Sequence, residues 1–373
     1  MANSTTASRK GIPPLRRADS DQDAGAASRP APHEKRSTAV PVNPLTMRAV
    51  IQDGYGAPER VLRLEEVPVP PVGDDDVLVR VRATSVNTPD WATVTGVPYV
   101  GRLASGLRRP KHAVRGSDVA GVVEAVGGRV TDLVPGDEVL GSTWFLAGAF
   151  AQYVTVPAAQ LARKPAGLTF TDAAAAVMTG LAALVAMRDV AQVGAGTRVL
   201  INGASGGVGT MAVQIAKVLG AEVTGVCGTA GNIELVRSLG ADHAIDYTKE
   251  DFTQSRQRFD VILDNVLNHP PKATARVLAP NGVLIPNSIG YTGGLFAGLP
   301  RMARAVLMGR LGSTTVKLVS PAVNQENLDA LLRLLESGEV RVVIDKTYPL
   351  DQAADAVTHM LEHHPSGKIA ITA

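Results

Sequence analysis

Among 373 residues there is one cysteine, Cys227, which excludes an intramolecular disulfide and any Cys-rich zinc lobe. It closes an apolar run and so reads as an inert, buried thiol rather than a reactive one. Aromatic residues are also scarce, at 4% of the chain, so the core has to be built from Val, Leu, Ala and Ile. No excess of one charge sign marks the whole chain. Lys and Arg total 37 against 35 Asp and Glu, and the net +2 is too small to imply nucleic acid or an acidic membrane. Residues 1–46 alone hold seven Lys/Arg and four Asp/Glu, leaving 30 against 31 for the rest. No run reads as a membrane span. The most apolar one, Ala173 to Met187, is short and Ala-rich, and it follows Thr171-Asp172, which reads as a helix N-terminus.

Residues 1–46 have the Ser, Ala, Pro, Arg and Asp content of a disordered leader, without a periodic apolar pattern. No secretory h-region is present, and Asp19, Asp21 and Asp23 oppose a transit peptide, so a cytoplasmic location is expected. A tail, or a start placed too early with Met47 as the true initiator, both fit this stretch.

The informative segment is Arg198-Val-Leu-Ile-Asn-Gly-Ala-Ser-Gly-Gly-Val-Gly-Thr210. It reads as an apolar strand, a glycine-rich turn from Gly203 to Gly209, and a helix over Met211 to Leu219. A second apolar run, Glu222 to Cys227, follows at the spacing of a βαβ unit. That context gives the glycines meaning, because a G-x-x-G-x-x-G alone is weak. Without a Cβ, backbone N–H groups approach a pyrophosphate closely, and the helix N-terminus adds positive partial charge. The segment implies a bound dinucleotide.

Around it the pattern changes twice. From Met47, short runs closed by Gly and Pro turns predict strands: Arg48–Ile51, Val77–Ala83, Val119–Val126 and Glu138–Leu140. From about Thr197 to Ile289, strands near Val199, Val223, Ala244, Val261 and Val283 alternate with helices, as in a doubly wound parallel sheet. Then come an irregular Gly-rich stretch, Tyr291 to Gly312, helices at Gln325–Ser337 and Leu350–Glu362, and strand-like segments at Arg341–Ile344 and Lys368–Thr372.

From Met47 onward the chain resembles the medium-chain dehydrogenase/reductase superfamily, in its zinc-independent quinone oxidoreductase branch. The residues that carry the resemblance are Gly116-Ser-Asp-Val-Ala-Gly-Val-Val-Glu-Ala-Val-Gly127, Pro135-Gly-Asp-Glu-Val139, Gly148-Ala-Phe-Ala-Gln-Tyr153, the Gly203–Gly209 turn and Ser366-Gly-Lys368, in that order. It implies an α/β fold: a GroES-like β-rich domain over 47–168, a Rossmann domain over 169–310, and a return segment, 311–373, completing the first domain. Nicotinamide and substrate would meet in the cleft between the domains. Zinc members of the superfamily carry Cys near the place of Asn87 and Gly-His-Glu where this chain has Gly116-Ser-Asp118. With those ligands gone and no H-E-x-x-H among the seven His, no zinc is expected.

Without a Lewis acid to stabilise an alkoxide, conjugated acceptors such as quinones and enones are the expected substrates. Asn87 is the first candidate for a polar contact beside the nicotinamide or substrate, with loop capping as the alternative. Tyr99 is a candidate donor to a developing oxyanion, or else an exposed loop residue. The turn residues Gly203, Ala204, Ser205, Gly206, Gly207, Val208 and Gly209 are expected to bind the cofactor. Asn265, Ser288 and Ile289 end later strands and are expected near the nicotinamide. Lys368 matches a family Gly-Lys position, though a lysine opening a final strand is usually solvated. Where family members often have Thr after Gly180-Leu181, this chain has Ala182, with Thr179 nearby.

The second strand ends in Cys227-Gly228-Thr229 without a carboxylate to hold a ribose 2′-hydroxyl, so NADPH is expected over NADH. The Lys or Arg of many relatives is missing as well, leaving Gly228, Thr229, Asn232 and Tyr247 for the phosphate. The alternatives are an alcohol or aldehyde dehydrogenase of the same superfamily, or a non-catalytic NADPH sensor. The acceptor pocket is expected between Tyr99–Lys111, Trp144–Leu146 and Tyr291–Leu311, and a homodimer is expected from the prevalence of twofold assemblies.

Overall fold

Valine at alternate positions builds the first sheet. Strands β1 (Thr46–Gln52) and β2 (Leu62–Pro68) pair as an antiparallel ribbon. Next come β3 (Asp76–Ser85), β4 (Asp118–Val126), β5 (Glu138–Ser142), β6 (Tyr153–Pro157) and β7 (Leu161–Arg163). Val77, Val79 and Val81 of β3 lie buried with Val119, Val123, Val139, Val154 and Val156 in one cluster. β-Branched side chains suit a pleated, packed surface, and each buried one contributes about 1.5–3 kcal/mol. Nearly all of this core is aliphatic, as the scarcity of aromatics requires. These coordinates are a computed structural model describing residues 46–144, 148–288, 295–312, 314–362 and 365–373.

A parallel sheet follows, in strands β8 (Arg198–Asn202), β9 (Glu222–Cys227), β10 (His243–Asp246), β11 (Phe259–Asp264), β12 (Leu278–Pro286) and β13 (Thr315–Val316). Their order is β10-β9-β8-β11-β12-β13, all parallel. The order reverses at β8, and the crevice beside that switch point lies at the carboxyl ends of β8 and β11. The sheet runs past residue 310, since Thr315-Val316 pairs with Val283-Leu284 of β12.

The chain then returns to the first sheet through β14 (Ile344–Pro349) and β15 (Lys368–Thr372). β15 pairs antiparallel with β3, giving the order β14-β15-β3-β4-β5-β7, with β6 on β3. The mixed α/β architecture expected from the sequence, a β-rich sheet completed by the chain's end and a parallel sheet inserted within it, is the one observed. The described residues, from Thr46 to Ala373, form one compact unit.

The helix Phe170–Leu184 continues through a wider turn, Val185–Val190. It is longer than the short run expected: 21 residues of mean hydropathy 1.7, enough by length and composition to cross a membrane, with 72% of that window buried inside the protein. It is a core helix. Thr169 Oγ1 accepts from the Asp172 N–H and caps its start, and Ala173, Ala174 and Ala176 let it lie close to its neighbours in the main apolar cluster.

Two expectations change. The strand expected at Arg341–Ile344 begins only at Ile344, because the preceding residues serve the helical layer: Gln214 binds Arg341 through both its N–H and its C=O. The Gly-rich stretch after Tyr291 contains a helix, Leu299–Leu311, opened by Pro300 where a missing N–H costs nothing. Residues 88–95, to which the sequence reading gave no element, form a helix, with Asn87 before it and Gly96 in the left-handed conformation after it.

Candidate active site

The turn after β8 is shaped by close approach. Gly203 has φ +77°, and a Cβ on Gly209 would collide with the Gly203 carbonyl oxygen, so strand and helix meet only with glycine there. The helix Gly207–Val218 then starts with Gly207, Val208 and Gly209, whose N–H groups have no acceptor within the helix and which line a cavity of about 1290 Å³. Ser205 and Gly206 line it as well. A Cβ on Gly207 would lie 2.8 Å from Lys368 Cδ, so the turn is a cradle that side chains would fill. Ala204 departs from expectation: it is fully buried in the apolar core, because the tight turn aims its methyl group away from the cavity.

The far wall of the cavity is polar and dry. The Lys368 ammonium, at 4% exposure, donates to Asn87 Oδ1 at 2.5 Å and to the Val86 carbonyl at 2.8 Å. Asn87 Nδ2 donates to Asp118 Oδ2 at 2.8 Å, and the same oxygen receives Ser85 Oγ at 2.6 Å. The other oxygen takes the Met178 N–H at 3.2 Å, and Lys368 Nζ stands 3.8 Å from Asp118. Burial pushes the Asp118 carboxyl up; the facing Lys368 charge and these hydrogen bonds oppose the rise. Burial pushes Lys368 down, opposed by Asp118 and Asp90. Each charge keeps the other from being an isolated buried ion. Asp90 accepts the Asn87 N–H at 2.8 Å, and burial pushes its carboxyl up to about 7.

Asn87 thus does two things that the sequence left as alternatives. Its backbone opens a helix, while its side chain lines the cavity with both amide ends engaged. Lys368 is not solvated, since its stem packs on the turn and its head is buried. Tyr99 is not brought to the cavity. It is 46% exposed, and its ring carries the Arg102 guanidinium 4.5 Å from the centroid, which holds the phenol outward.

At the other end, Gly228, Thr229, Asn232 and Tyr247 line the cavity together. Thr229 Oγ1 accepts from the Asn232 N–H at 3.2 Å. Asn232 Oδ1 accepts from Ser366 Oγ at 2.6 Å, a link from the return segment. The Gly367 N–H also donates to the Ser205 carbonyl at 2.8 Å, so the final strand fastens the turn. Asp246, beside Cys227 in the sheet, is held down at about 2 by Thr248 and Lys249 and does not line the cavity. Cys227 does line it, but burial pushes its thiol up to about 11.

Asn265 and Ser288 both line the cavity; Ile289, like Phe145 and Leu146 of the expected wall, lies outside the described residues. Asn265 Oδ1 accepts from Asn287 at 2.8 Å, while its Nδ2, fully buried, has no partner among the described residues. Reasoning from sequence missed Asn287, Asn202 (which donates to Asp264 at 2.8 Å) and the role of Asp118. The available signal was their place at strand ends. No group of three His, Cys, Asp or Glu positioned to hold a metal occurs among the described residues.

Comparison with known proteins agrees with this layout. Residues 73–166 match the model of the alcohol dehydrogenase GroES-like domain, and residues 239–371 match that of zinc-binding dehydrogenase. The chain is 31% identical over 335 residues to the chloroplast envelope quinone oxidoreductase homolog of Arabidopsis thaliana, covering 87% of this chain and 98% of that one. It is 32% identical over 343 residues to the chloroplastic NADPH-dependent alkenal/one oxidoreductase of the same plant, covering 88% and 80%. The solved quinone oxidoreductase of Coxiella burnetii superposes with a TM-score of 0.77 at 27% identity, over 88% of this chain and 99% of that one. Sequence motifs, sheet order and relatives converge: the chain belongs to the medium-chain dehydrogenase/reductase superfamily, in its quinone oxidoreductase-like branch.

Proposed function

We propose that this protein is a zinc-independent, NADPH-dependent reductase that passes hydride to a quinone or an α,β-unsaturated carbonyl compound. One observation carries the reading: a single cavity joins the glycine cradle and the orphaned Asn265 amide on one side to the Asn87–Lys368 wall on the other. The relatives named for quinone and for alkenal/one reduction support the reaction class.

The residues present fit NADPH. Gly207, Val208 and Gly209 offer N–H groups to a pyrophosphate, and Asn265 Nδ2 offers a buried donor to a carboxamide. Thr229, Asn232, Tyr247 and Ser366 would hold the 2′-phosphate, with no carboxylate among the described residues that line the cavity to repel it. When bound, the cofactor supplies the hydride. The chain's own task is orientation and the exclusion of water, and the enclosed polar wall of Asn87 and Lys368 fixes one side of the reacting space.

Chemistry at this wall supports a reaction without zinc. Asn87, Ser117 and Asp118 stand together where zinc relatives place ligands, yet the Lys368 ammonium already binds Asn87 Oδ1 and faces Asp118. A side-chain amide oxygen, a backbone carbonyl and a carboxylate gathered around Lys368 are a poor set for a metal that favours imidazole and thiolate. A cytoplasmic homodimer belongs to the same proposal, from the prevalence of twofold assemblies and a chain without a cysteine pair.

The test is steady-state oxidation of NADPH and NADH with a panel of quinones, enones and simple ketones. Turnover of conjugated acceptors with NADPH preferred agrees with the proposal. Turnover of simple alcohols or ketones only would turn it towards an alcohol dehydrogenase, and tight NADPH binding without turnover towards a sensor.

A further inference from the structure

Among the described residues, the cavity above is lined by two charged side chains, Lys368 and Arg102, and by no carboxylate. Lys368 is answered by Asp118. Arg102 has no carboxylate partner among the described residues, and its setting is built. Its guanidinium lies over two phenol rings, 4.4 Å from the Tyr55 centroid and 4.5 Å from that of Tyr99. Nε donates to the Gly96 carbonyl at 3.0 Å and Nη2 to the Thr95 carbonyl at 3.1 Å. Gly96 is obligatory for this seat: at φ +69°, a Cβ would collide with Arg102 Nε and come within 2.7 Å of Tyr55. Tyr55 is anchored in turn, donating to the Gly106 carbonyl at 2.6 Å.

Those contacts engage Nε, Nη2 and two aromatic rings. Nη1 has no acceptor among the described residues, and Nη2 keeps a second N–H beside it. Two parallel N–H groups on one edge match the two oxygens of a carboxylate or phosphate, and a fork held rigid by its surroundings loses little freedom on binding one.

The charge around this end points the same way. Residues 96–117 contain Arg102, Arg108, Arg109, Lys111 and Arg115 and no Asp or Glu. Residues 265–325 contain Lys272, Arg276, Arg301, Arg304, Arg310 and Lys317, again with none. The Val100 N–H donates to the Leu295 carbonyl at 3.2 Å, so the two acid-free segments touch. The near-neutral total of the whole chain conceals two touching segments of one sign, and such local excess gathers anions by steering.

We propose that Arg102 anchors an anionic oxygen group, carboxylate or phosphate, carried by the acceptor away from its conjugated bond. The substrate class is then an unsaturated carbonyl compound with an acidic tail. This rests on the reductase reading above, and it assigns Arg102 a part in specificity that reading does not need.

The experiment compares matched acceptors: a γ-oxo-α,β-unsaturated acid with its methyl ester, and an enoyl thioester of coenzyme A with that of N-acetylcysteamine. In the unaltered protein the KM of the anionic member of at least one pair is expected about 10- to 100-fold below that of its neutral partner. In Arg102→Gln this ratio falls towards one, and Arg102→Lys restores part of it. The pair that discriminates tells carboxylate from phosphate. Equal KM values within both pairs, or a ratio unchanged in Arg102→Gln, overturn the proposal. If no acceptor is consumed, the reductase reading fails by itself, and quenching of tryptophan fluorescence still decides, because Trp144 lines the same cavity. Saturable binding of the acid but not the ester, lost in Arg102→Gln, then supports the anchor, and its absence overturns it.

Discussion

Lys368 Nζ lies 2.5 Å from Asn87 Oδ1, joining the first residue of the last strand to the residue that opens the helix Thr88–Thr95. Through Asn87 the ammonium reaches Asp118, and through its own stem it reaches Gly207 of the cradle. One buried side chain therefore ties together both walls of the cavity.

Removing that ammonium leaves the fully buried Asp118 carboxylate with its hydrogen bonds but without its facing charge. Lys368→Met is expected to cost about 3–5 kcal/mol in urea unfolding, and the double variant Lys368→Met/Asp118→Asn less than the sum of the two single costs. Additive costs would show that the two charges do not interact.

Gly209→Ala places a methyl group against the Gly203 carbonyl. Stability is expected to fall by about 1–3 kcal/mol and NADPH affinity by about tenfold or more, read by calorimetry on the folded variant. Unchanged affinity would remove the turn from the cofactor site.

Asn265 allows a cleaner separation, because its buried Nδ2 makes no bond to the described protein. Asn265→Leu loses only the Asn287 bond from the fold, about 0.5–1.5 kcal/mol, but is expected to weaken NADPH at least fivefold. A loss of stability without loss of affinity would contradict the role given to this amide.

Asp90 predicts a pH dependence. Its folded carboxyl is pushed up to about 7 from 3.8, so between about pH 4 and 7 the folded state binds more protons than the unfolded one. Its contribution to stability is complete below pH 4 and is lost as pH rises through 7. Asp90→Asn keeps an oxygen to accept the Asn87 N–H and should flatten the decline of the urea midpoint across that window. Identical slopes in both proteins would refute the assignment.

Legibility in the sequence tracked locality. The Gly203–Gly209 turn was readable because its strand, glycines and helix are contiguous, and the cavity is where that pattern puts it. Ala204 was misplaced because a turn does not reveal which of its side chains faces inward. Tyr99 was misplaced because its direction is set by stacking on Arg102, a contact outside any motif. The Asp118–Asn87–Lys368 network was hidden for a different reason: its members lie far apart in the chain, and a lysine opening a strand looks solvated until β15 is seen against β3. Leu299–Leu311 was hidden by its glycine and proline neighbours, which mask helical spacing.

The central claim is a hydride transfer that needs no metal, and deuterium tracing tests it most directly. Protein stripped of metal by chelator would be given NADPH deuterated at the reactive position and a simple enone, and the product examined by mass spectrometry and NMR. The account predicts one deuterium at the β-carbon, at a rate unaffected by chelator. An unlabelled product, or turnover that returns only when zinc is added, would contradict it.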